Sequence, residues 1–226
     1  MTERLNPNMT QRLAPRLYLL TNDDRFELLY QKLDIALATG MISLLQIRRK
    51  QVIAQPDGQL KLYDEAVKIV ALAKKHAVPV VINDDIALAA KLGVGVHLGQ
   101  QDGAISEAKK QLSPNQIIGR TCHGDIELVK EAVRAGADYA AMGAVFTSST
   151  KPNAHTITRQ QLLEGCQQAI DENIDICVIG GLTAENIGPL KGLPLTYLAV
   201  VGDIMDLPVD LIAARCQEWQ QALVDW

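Results

Sequence analysis

Short apolar runs recur along the chain, and several are continuously apolar instead of alternating with polar positions. This pattern is typical of parallel strands that are buried on both faces. We predict a strand in each of eight runs, at residues 16–22, 42–48, 78–84, 94–100, 116–121, 137–143, 175–181 and 196–202.

The segments between these runs have the spacing of helices. One helical face comprises Leu62, Ala66, Ile69, Val70 and Ala73. Thr158 and Gln161 have the spacing of a capping box for the sixth helix, and Thr183 is placed to cap the seventh. The pattern therefore predicts a helix after each strand.

Eight strands alternating with helices, without a linker rich in Pro, Gly or Ser, predict an α/β protein with a single (β/α)8 TIM barrel. A doubly wound open sheet is the alternative. We expect residues 1–14 to form a disordered or loosely packed extension and residues 15–226 to form the barrel domain. Active sites of such barrels lie at the carboxyl ends of the strands, so the polar residues that close each run are the candidates for chemistry.

Composition narrows the function classes. The 226 residues are 48% hydrophobic, enough for a sizeable core, and 22 basic against 26 acidic residues give a net charge of −4. No basic stripe indicates a nucleic-acid partner. The N-terminus lacks the apolar core of a signal peptide, and no stretch reaches the roughly 18 apolar residues of a membrane span, so we expect a cytoplasmic protein without a membrane partner.

Four cysteines are widely spaced and form no C-x-x-C pair. This spacing favours buried, reduced thiols over a metal site. They are Cys122, Cys166, Cys177 and Cys216.

The second run closes with "QIRRK", in which alternation puts Gln46, Arg48 and Lys50 on one side and Ile47 and Arg49 on the other. Two cations and a carboxamide on one face suit an anionic group. The alternative is a charged loop that covers a helix end.

The third and fourth runs close with carboxylates. Asn83, Asp84 and Asp85 end the third, and the fourth leads through His97 to Asp102. Neighbouring strand ends would let Asp84 and Asp102 share one Mg²⁺, which binds one or two carboxylates and completes its shell with substrate phosphates and water. Alternatively, either aspartate caps the helix that follows it.

The loop after the sixth run offers hydroxyls and an ammonium group to phosphate oxygens, although a solvated turn has the same composition. Its residues are Thr147, Ser148, Ser149, Thr150 and Lys151. Backbone N–H groups at Gly180, Gly181 and Gly202 are further candidates for holding a phosphate after the seventh and eighth strands.

Taken in order, seven segments resemble the thiamine-phosphate synthase family from about Leu17 to Ile204. They are "QIRRK", "IND", "GVHLGQQD", "GRTCH", "ADYAAMGAVFTSSTK", "IGGLTAENI" and "LAVVGDI". The resemblance implies a Mg²⁺-dependent transferase of thiamine biosynthesis. It would condense 4-amino-2-methyl-5-pyrimidinylmethyl diphosphate with 4-methyl-5-(2-phosphoethyl)thiazole, giving thiamine phosphate and pyrophosphate through a pyrimidinylmethyl cation.

The resemblance also implies roles for single residues. Asp84 and Asp102 would bind Mg²⁺. Catalytic roles would fall to Arg48, Lys50, Thr121 and Lys151. Residues that bind the two substrates would be Gln46, Arg48, Lys50, Asn83, Thr121, Ser148, Thr150, Lys151, Gly181, Val201 and Gly202.

This chain departs from the family pattern at three places. Thr121 stands where the family usually has Ser, and the hydroxyl loop reads Ser148-Ser149-Thr150-Lys151 instead of "T-x-T-K". In the strand 8 segment, usually "V-S-A-I", Val201 is followed by Gly202 and Asp203, so a hydroxyl is absent and Asp203 would repel a phosphate unless it points away.

Two rival functions stay open. A related barrel, the thiazole tautomerase, uses a histidine in the "GRTCH" segment for acid-base work, whereas we expect His123 to be packed or to support other site residues. A phosphate-ligand-binding barrel without catalysis is the other rival. The family tends to self-associate, and apolar Leu28, Leu29 and Leu33 are candidates for a homo-oligomer interface.

Overall fold

The computed structural model describes residues 14–147, 156–224 and 226, so nearly all of the predicted extension at 1–14 lies outside the described residues. The strands in the described ranges are parallel, pair in chain order, and close into a barrel where the eighth meets the first. They are β1 (Arg16–Leu20), β2 (Ile42–Ile47), β3 (Val80–Asn83), β4 (Gly95–Leu98), β5 (Ile118–His123), β6 (Tyr139–Gly143), β7 (Asp175–Ile179) and β8 (Tyr197–Val200). The predicted TIM barrel is confirmed, and the open sheet is excluded.

Helices surround this barrel. They are α1 (Phe26–Ala38), α2 (Lys50–Ile53), α3 (Gly58–Lys75), α4 (Ile86–Leu92), α5 (Ile105–Gln111), α6 (Ile126–Ala135), α7 (Arg159–Glu172), α8 (Gly202–Met205) and α9 (Ile212–Val224). The predicted capping box opens α7, because Thr158 and Gln161 each bond the other's backbone N–H. Within the described ranges, no helix is both long and apolar enough to cross a membrane.

The predicted helix after β7 is wrong. The chain instead forms a turn, in which Thr183 Oγ1 accepts a hydrogen bond from the N–H of Asn186 at 3.3 Å, and then a short 3₁₀ helix, Gly188–Leu190. Glycine and proline both disfavour an α-helix, and they recur too closely here to leave a full helical segment. These residues are Gly188, Pro189, Gly192 and Pro194.

Two apolar cores lie among the residues that the structure describes. The larger lies between strands and helices and includes Leu29 and Leu33, both 0% exposed, so the prediction that these two serve an interface is wrong; Leu28 is 39% exposed. The smaller lies inside the barrel, where alternate strand positions point, and includes Tyr18, Tyr139, Tyr197 and Cys177 among others. All four cysteines are buried, as predicted.

Gly119 leaves space for one of the three inner tyrosines, Tyr139. A Cβ on residue 119 would lie 2.0 Å from Cζ of Tyr139. The tyrosine ring therefore occupies the volume that a side chain on residue 119 would fill, and its hydroxyl lies within hydrogen-bond distance of Tyr18 and His97.

Candidate active site

Asp84 follows β3 and Asp102 follows β4, and the two aspartates lie close together at the mouth of the barrel. Asn83 is the register partner of His97, and the N–H of Asp84 donates to the carbonyl oxygen of His97 at 2.8 Å. Gly99 lies next to both carboxylates, because a Cβ there would be 2.3 Å from Asp102 Oδ2 and 3.8 Å from Asp84 Oδ1. The structure thus brings Asp84 and Asp102 together.

The two carboxylates repel each other. Burial and the neighbouring Asp84 carboxyl raise the pKa of Asp102, and the cation of Lys50 opposes this rise. Lys50 Nζ lies 3.6 Å from Asp84 Oδ2, and Asn83 Nδ2 donates to the same oxygen at 2.5 Å. A divalent cation between the carboxylates would relieve their repulsion.

The donor set fits Mg²⁺ better than a metal that needs a full protein cage. In the ranges that the structure describes, no three His, Cys, Asp or Glu side chains converge. Two carboxylates are a usual protein contribution to a Mg²⁺ site that phosphate and water complete.

Neither aspartate caps a helix, so the alternative interpretation of this pair is wrong. The N-cap of α4 is Asp85, whose Oδ1 accepts from the N–H of Leu88 at 2.8 Å. The N-cap position of α5 is Ala104, not Asp102. Because the next residue performs the capping, the Asp84 side chain is available to the barrel mouth.

The two arginines after β2 differ in burial and in the groups that they contact. Arg49 is 2% exposed; its Nε donates to Glu65 Oε2 at 2.8 Å and its Nη1 to the carbonyl oxygen of Asn22 at 2.6 Å. It therefore anchors the loop after β1 to α3. Arg48 is half-buried, and both its backbone N–H and its carbonyl bond the Thr21 hydroxyl, at 2.9 and 3.0 Å.

Lys50 and Arg48 lie beyond the strand, contrary to the predicted alternation. β2 ends at Ile47, and Lys50 is already the first residue of α2. Strand alternation therefore explains the inward side chain of Gln46 but not the positions of the two cations. Lys50 reaches the aspartates through the start of a helix, with its side chain 55% exposed.

A buried chain of polar side chains crosses the barrel below the mouth. Gln46 Nε2 donates to Tyr18 Oη at 2.5 Å, and Tyr18 Oη lies 2.7 Å from Tyr139 Oη. Tyr139 Oη lies 2.8 Å from His97 Nδ1, and His97 Nε2 lies 2.9 Å from Thr121 Oγ1. The chain thus connects two predicted substrate-binding residues, Gln46 on β2 and Thr121 on β5.

Burial and the nearby Arg120 guanidinium lower the pKa of His97 to about 4, so the imidazole is neutral near pH 7. Sequence reasoning assigned no role to His97, Tyr18 or Tyr139. The available signal was period-two alternation, which points residues 18, 97 and 139 into the barrel, combined with the need of a buried tyrosine hydroxyl for a partner.

The opposite side of the mouth is formed by β7 and β8. Gly180 and Gly181 have φ of +110° and +61°, which favours glycine, and the Gly181 carbonyl accepts from Asn186 Nδ2 at 2.7 Å. Val201 precedes α8, and Gly202 begins it. A Cβ on Gly202 would lie 2.6 Å from Asp206 Oδ2, so the serine that the family usually has here would require Asp206 to move.

Asp203 points away from this side of the mouth. Its Oδ2 accepts from Arg215 Nε at 2.9 Å and from Trp219 Nε1 at 2.7 Å. The carboxylate is therefore neutralised on the α9 side, and the expected repulsion of a phosphate does not arise.

The predictions for His123 and for the hydroxyl loop after β6 have different outcomes. His123 ends β5 with φ of +50° and is exposed, so the expectation that it is packed is wrong. Ser148, Thr150 and Lys151 lie outside the described residues, as does most of the hydroxyl loop. Thr147, the last described residue before that gap, is exposed.

Comparisons with known proteins show which family the chain resembles. The family model described as thiamine monophosphate synthase matches residues 17–204. A thiamine-phosphate synthase of Aromatoleum aromaticum is 37% identical over 195 residues, which cover 85% of this chain and 89% of that protein.

Solved structures share the fold. A thiamine phosphate pyrophosphorylase from Pyrococcus furiosus superposes with a TM-score of 0.75 at 22% identity, covering 95% of this chain and 98% of that one. One from Bacteroides thetaiotaomicron gives 0.59 at 18% identity, covering 92% and 96%. Together with the sequence matches, these results confirm the predicted resemblance and do not favour the tautomerase or the binding barrel. The chain belongs to the thiamine monophosphate synthase family.

Proposed function

We propose that this barrel is a Mg²⁺-dependent thiamine-phosphate synthase that joins the pyrimidine diphosphate and the thiazole phosphate and releases pyrophosphate. Family membership supports the synthase reaction. The observation that carries the Mg²⁺ proposal is the pair Asp84 and Asp102 next to Gly99, with Lys50 Nζ 3.6 Å from Asp84.

The diphosphate would lie where these charges meet. Mg²⁺ held by Asp84 and Asp102 would supply positive charge to the departing pyrophosphate. Lys50 and Asn83, both already in contact with Asp84, would bind diphosphate oxygens, together with Arg48. Lys151 is proposed for the same role from the family pattern.

The organic parts of the substrates would occupy the barrel mouth. Gln46 on β2 and Thr121 on β5 would bind the pyrimidine ring. Residues proposed to hold the thiazole phosphate are Ser148, Thr150, Gly181, Val201 and Gly202. The C–O bond to the diphosphate breaks, its electron pair leaves with pyrophosphate, and the thiazole nitrogen forms the new bond to the pyrimidine methylene, so no nucleophilic side chain is needed.

The metal proposal is tested by titrating Mg²⁺ against pyrophosphate release by Asp84→Asn, with Asp85→Asn as the matched control. Asp85 is the adjacent aspartate but caps α4, a role that asparagine also fills. We expect Asp84→Asn to raise the Mg²⁺ concentration for half-maximal rate by about tenfold or more, as loss of one charged ligand should. Equal Mg²⁺ dependence in both variants would contradict the metal assignment.

Cytoplasmic location and self-association stay predictions. Exposed Leu28 is compatible with an interface on α1. Sedimentation velocity of the wild type and of Leu28→Lys would test whether this face joins two copies.

A further inference from the structure

Arg120 is a charged residue of β5 to which the proposed reaction assigns no role. Its neighbours on the strand face the inside of the barrel: a Cβ on Gly119 would meet Tyr139, and the Thr121 hydroxyl lies 2.9 Å from His97 Nε2. Side chains alternate along a strand, so Arg120 points away from the barrel axis. It is half-buried and, in the part of the chain that the structure describes, forms no ion pair with a carboxylate.

The Arg120 guanidinium binds the loop that joins β4 to α5. Nη1 donates to the carbonyl oxygen of Gly103 at 2.8 Å. Nη2 donates to the backbone carbonyl oxygen of Gln100 at 3.3 Å and to its side-chain Oε1 at 3.4 Å. Asp102 lies between these two residues in the chain, so Arg120 bonds the loop on both sides of a proposed Mg²⁺ ligand.

The Gln100 side chain connects the same loop to β5. Its Nε2 donates to the carbonyl oxygen of Thr121, while its Oε1 accepts from Arg120. The strand register pairs Leu98, the last residue of β4, with Arg120. These side-chain bonds therefore continue the connection between the two strands beyond the end of β4.

The loop needs such a restraint because the carboxylates of Asp84 and Asp102 repel each other. Before a cation binds, this repulsion favours movement of the loop away from β3. A guanidinium resists the movement well, since its donors lie in one rigid plane and its hydrogen bonds to carbonyl oxygens are charge-assisted.

We propose that Arg120 is a positioning residue, which holds Asp102 beside Asp84 by binding the carbonyl oxygens on either side of Asp102. This inference rests on the proposed Mg²⁺ site. Arg120 acts through Asp102, by fixing the place of this ligand before the metal arrives. A pair of ligands that is already ordered binds a metal more tightly than a loop that must first be ordered.

The charge of Arg120 and its hydrogen bonds affect metal binding in opposite directions. A cation near the mouth of the barrel repels Mg²⁺, so its removal should tighten metal binding if charge were its only contribution. Loss of the hydrogen bonds should weaken metal binding, because the loop can then move away from Asp84. The sign of the change therefore separates the two roles.

The test compares two variants of Arg120. Arg120→Met removes the charge and every donor but keeps an apolar side chain, whereas Arg120→Lys keeps the charge and offers a single ammonium group. Arg159→Met is the matched control, because Arg159 Nη1 also donates to a backbone carbonyl oxygen, that of Pro189, outside this loop. Binding of Mn²⁺, used in place of Mg²⁺, is measured by electron paramagnetic resonance, first alone and then with methylenediphosphonate, an unreactive diphosphate.

We expect Arg120→Met to raise the Mn²⁺ dissociation constant about tenfold, the change that corresponds to one lost hydrogen bond of a charged group. Arg120→Lys should raise it less, because the ammonium can still bind one of the carbonyl oxygens, and Arg159→Met should not change it. Unchanged or tighter binding in Arg120→Met would overturn the inference, and so would an equal loss in Arg159→Met.

A second measurement detects the loop itself, without a metal. The Asp102 N–H donates to the Gly99 carbonyl oxygen at 3.3 Å, and the Val96 N–H of β4 donates to the Ile117 carbonyl oxygen at 2.8 Å. Arg120→Met should accelerate hydrogen exchange at Asp102 about tenfold and leave exchange at Val96 unchanged. Equal acceleration at both amides would indicate general destabilisation of the barrel and would contradict the positioning role.

The two proposals fail in different ways. A wild-type protein that binds Mn²⁺ under neither condition refutes the metal site and the inference with it. Binding by the wild type with the same affinity in both Arg120 variants refutes only the positioning role. Binding that Arg120→Met weakens, in a protein that releases no pyrophosphate, refutes the synthase reaction and supports the inference.

Discussion

Gly99 lies so close to the carboxylate of Asp102 that a Cβ added to residue 99 would be 2.3 Å from Asp102 Oδ2. Real Cβ atoms do not approach another atom this closely, so a side chain on residue 99 would force the Asp102 carboxylate to move. The position of one proposed Mg²⁺ ligand thus depends on a residue with no side chain.

Gly99→Ala should displace Asp102 from Asp84 and weaken Mg²⁺ binding. We expect the Mg²⁺ concentration for half-maximal pyrophosphate release to rise about tenfold, equivalent to losing one good contact. Gly188→Ala is the control, because a Cβ there has nothing within 4 Å. A Gly99→Ala enzyme with wild-type Mg²⁺ dependence would show that the Asp102 position does not matter for the metal.

Two consecutive arginines should respond differently to substitution. Arg49→Ala leaves Glu65 without its partner, and breaking a buried ion pair costs about 3 kcal/mol or more, so the free energy of unfolding should fall by about that amount. Arg48→Ala should leave the unfolding energy unchanged and lower kcat/KM about 100-fold, as loss of a charge that stabilises the leaving group does. Urea unfolding and steady-state kinetics separate the two effects. A loss of stability in Arg48→Ala, together with a loss of activity but not of stability in Arg49→Ala, would contradict the geometry.

Asp203→Ala should affect stability and not phosphate binding. The substitution removes the acceptor for Trp219 Nε1, on a side chain that is 0% exposed, and we expect a loss of about 2 kcal/mol of unfolding free energy. The KM for thiazole phosphate should not change. A lower KM would mean that Asp203 repels the phosphate and therefore faces it.

Much of the fold follows from the sequence because it depends on local patterns. Continuous apolar runs and capping residues such as Thr158 can be recognised from neighbouring positions in the sequence. The ends of β3 and β4 are adjacent in any barrel whose strands pair in chain order. The approach of Asp84 and Asp102 was predictable for that reason.

Features that depend on tertiary packing were not predictable in this way. Alternation separates Arg49 from Arg48, but the partners that make Arg49 a buried anchor, Glu65 on α3 and the carbonyl oxygen of Asn22, are distant in the sequence. The bonds between Tyr18, Tyr139 and His97 join β1, β6 and β4, so no local spacing indicates them. The direction of Asp203 likewise depends on Arg215, twelve residues later on α9.

The most direct measurement is pyrophosphate release by the purified protein, given 4-amino-2-methyl-5-pyrimidinylmethyl diphosphate and thiazole phosphate, with Mg²⁺ present and then chelated. The synthase proposal predicts release that requires both substrates, stops on chelation, and is matched by an equal amount of thiamine phosphate. No release with both substrates and Mg²⁺ present, from protein that still binds thiazole phosphate, would contradict it.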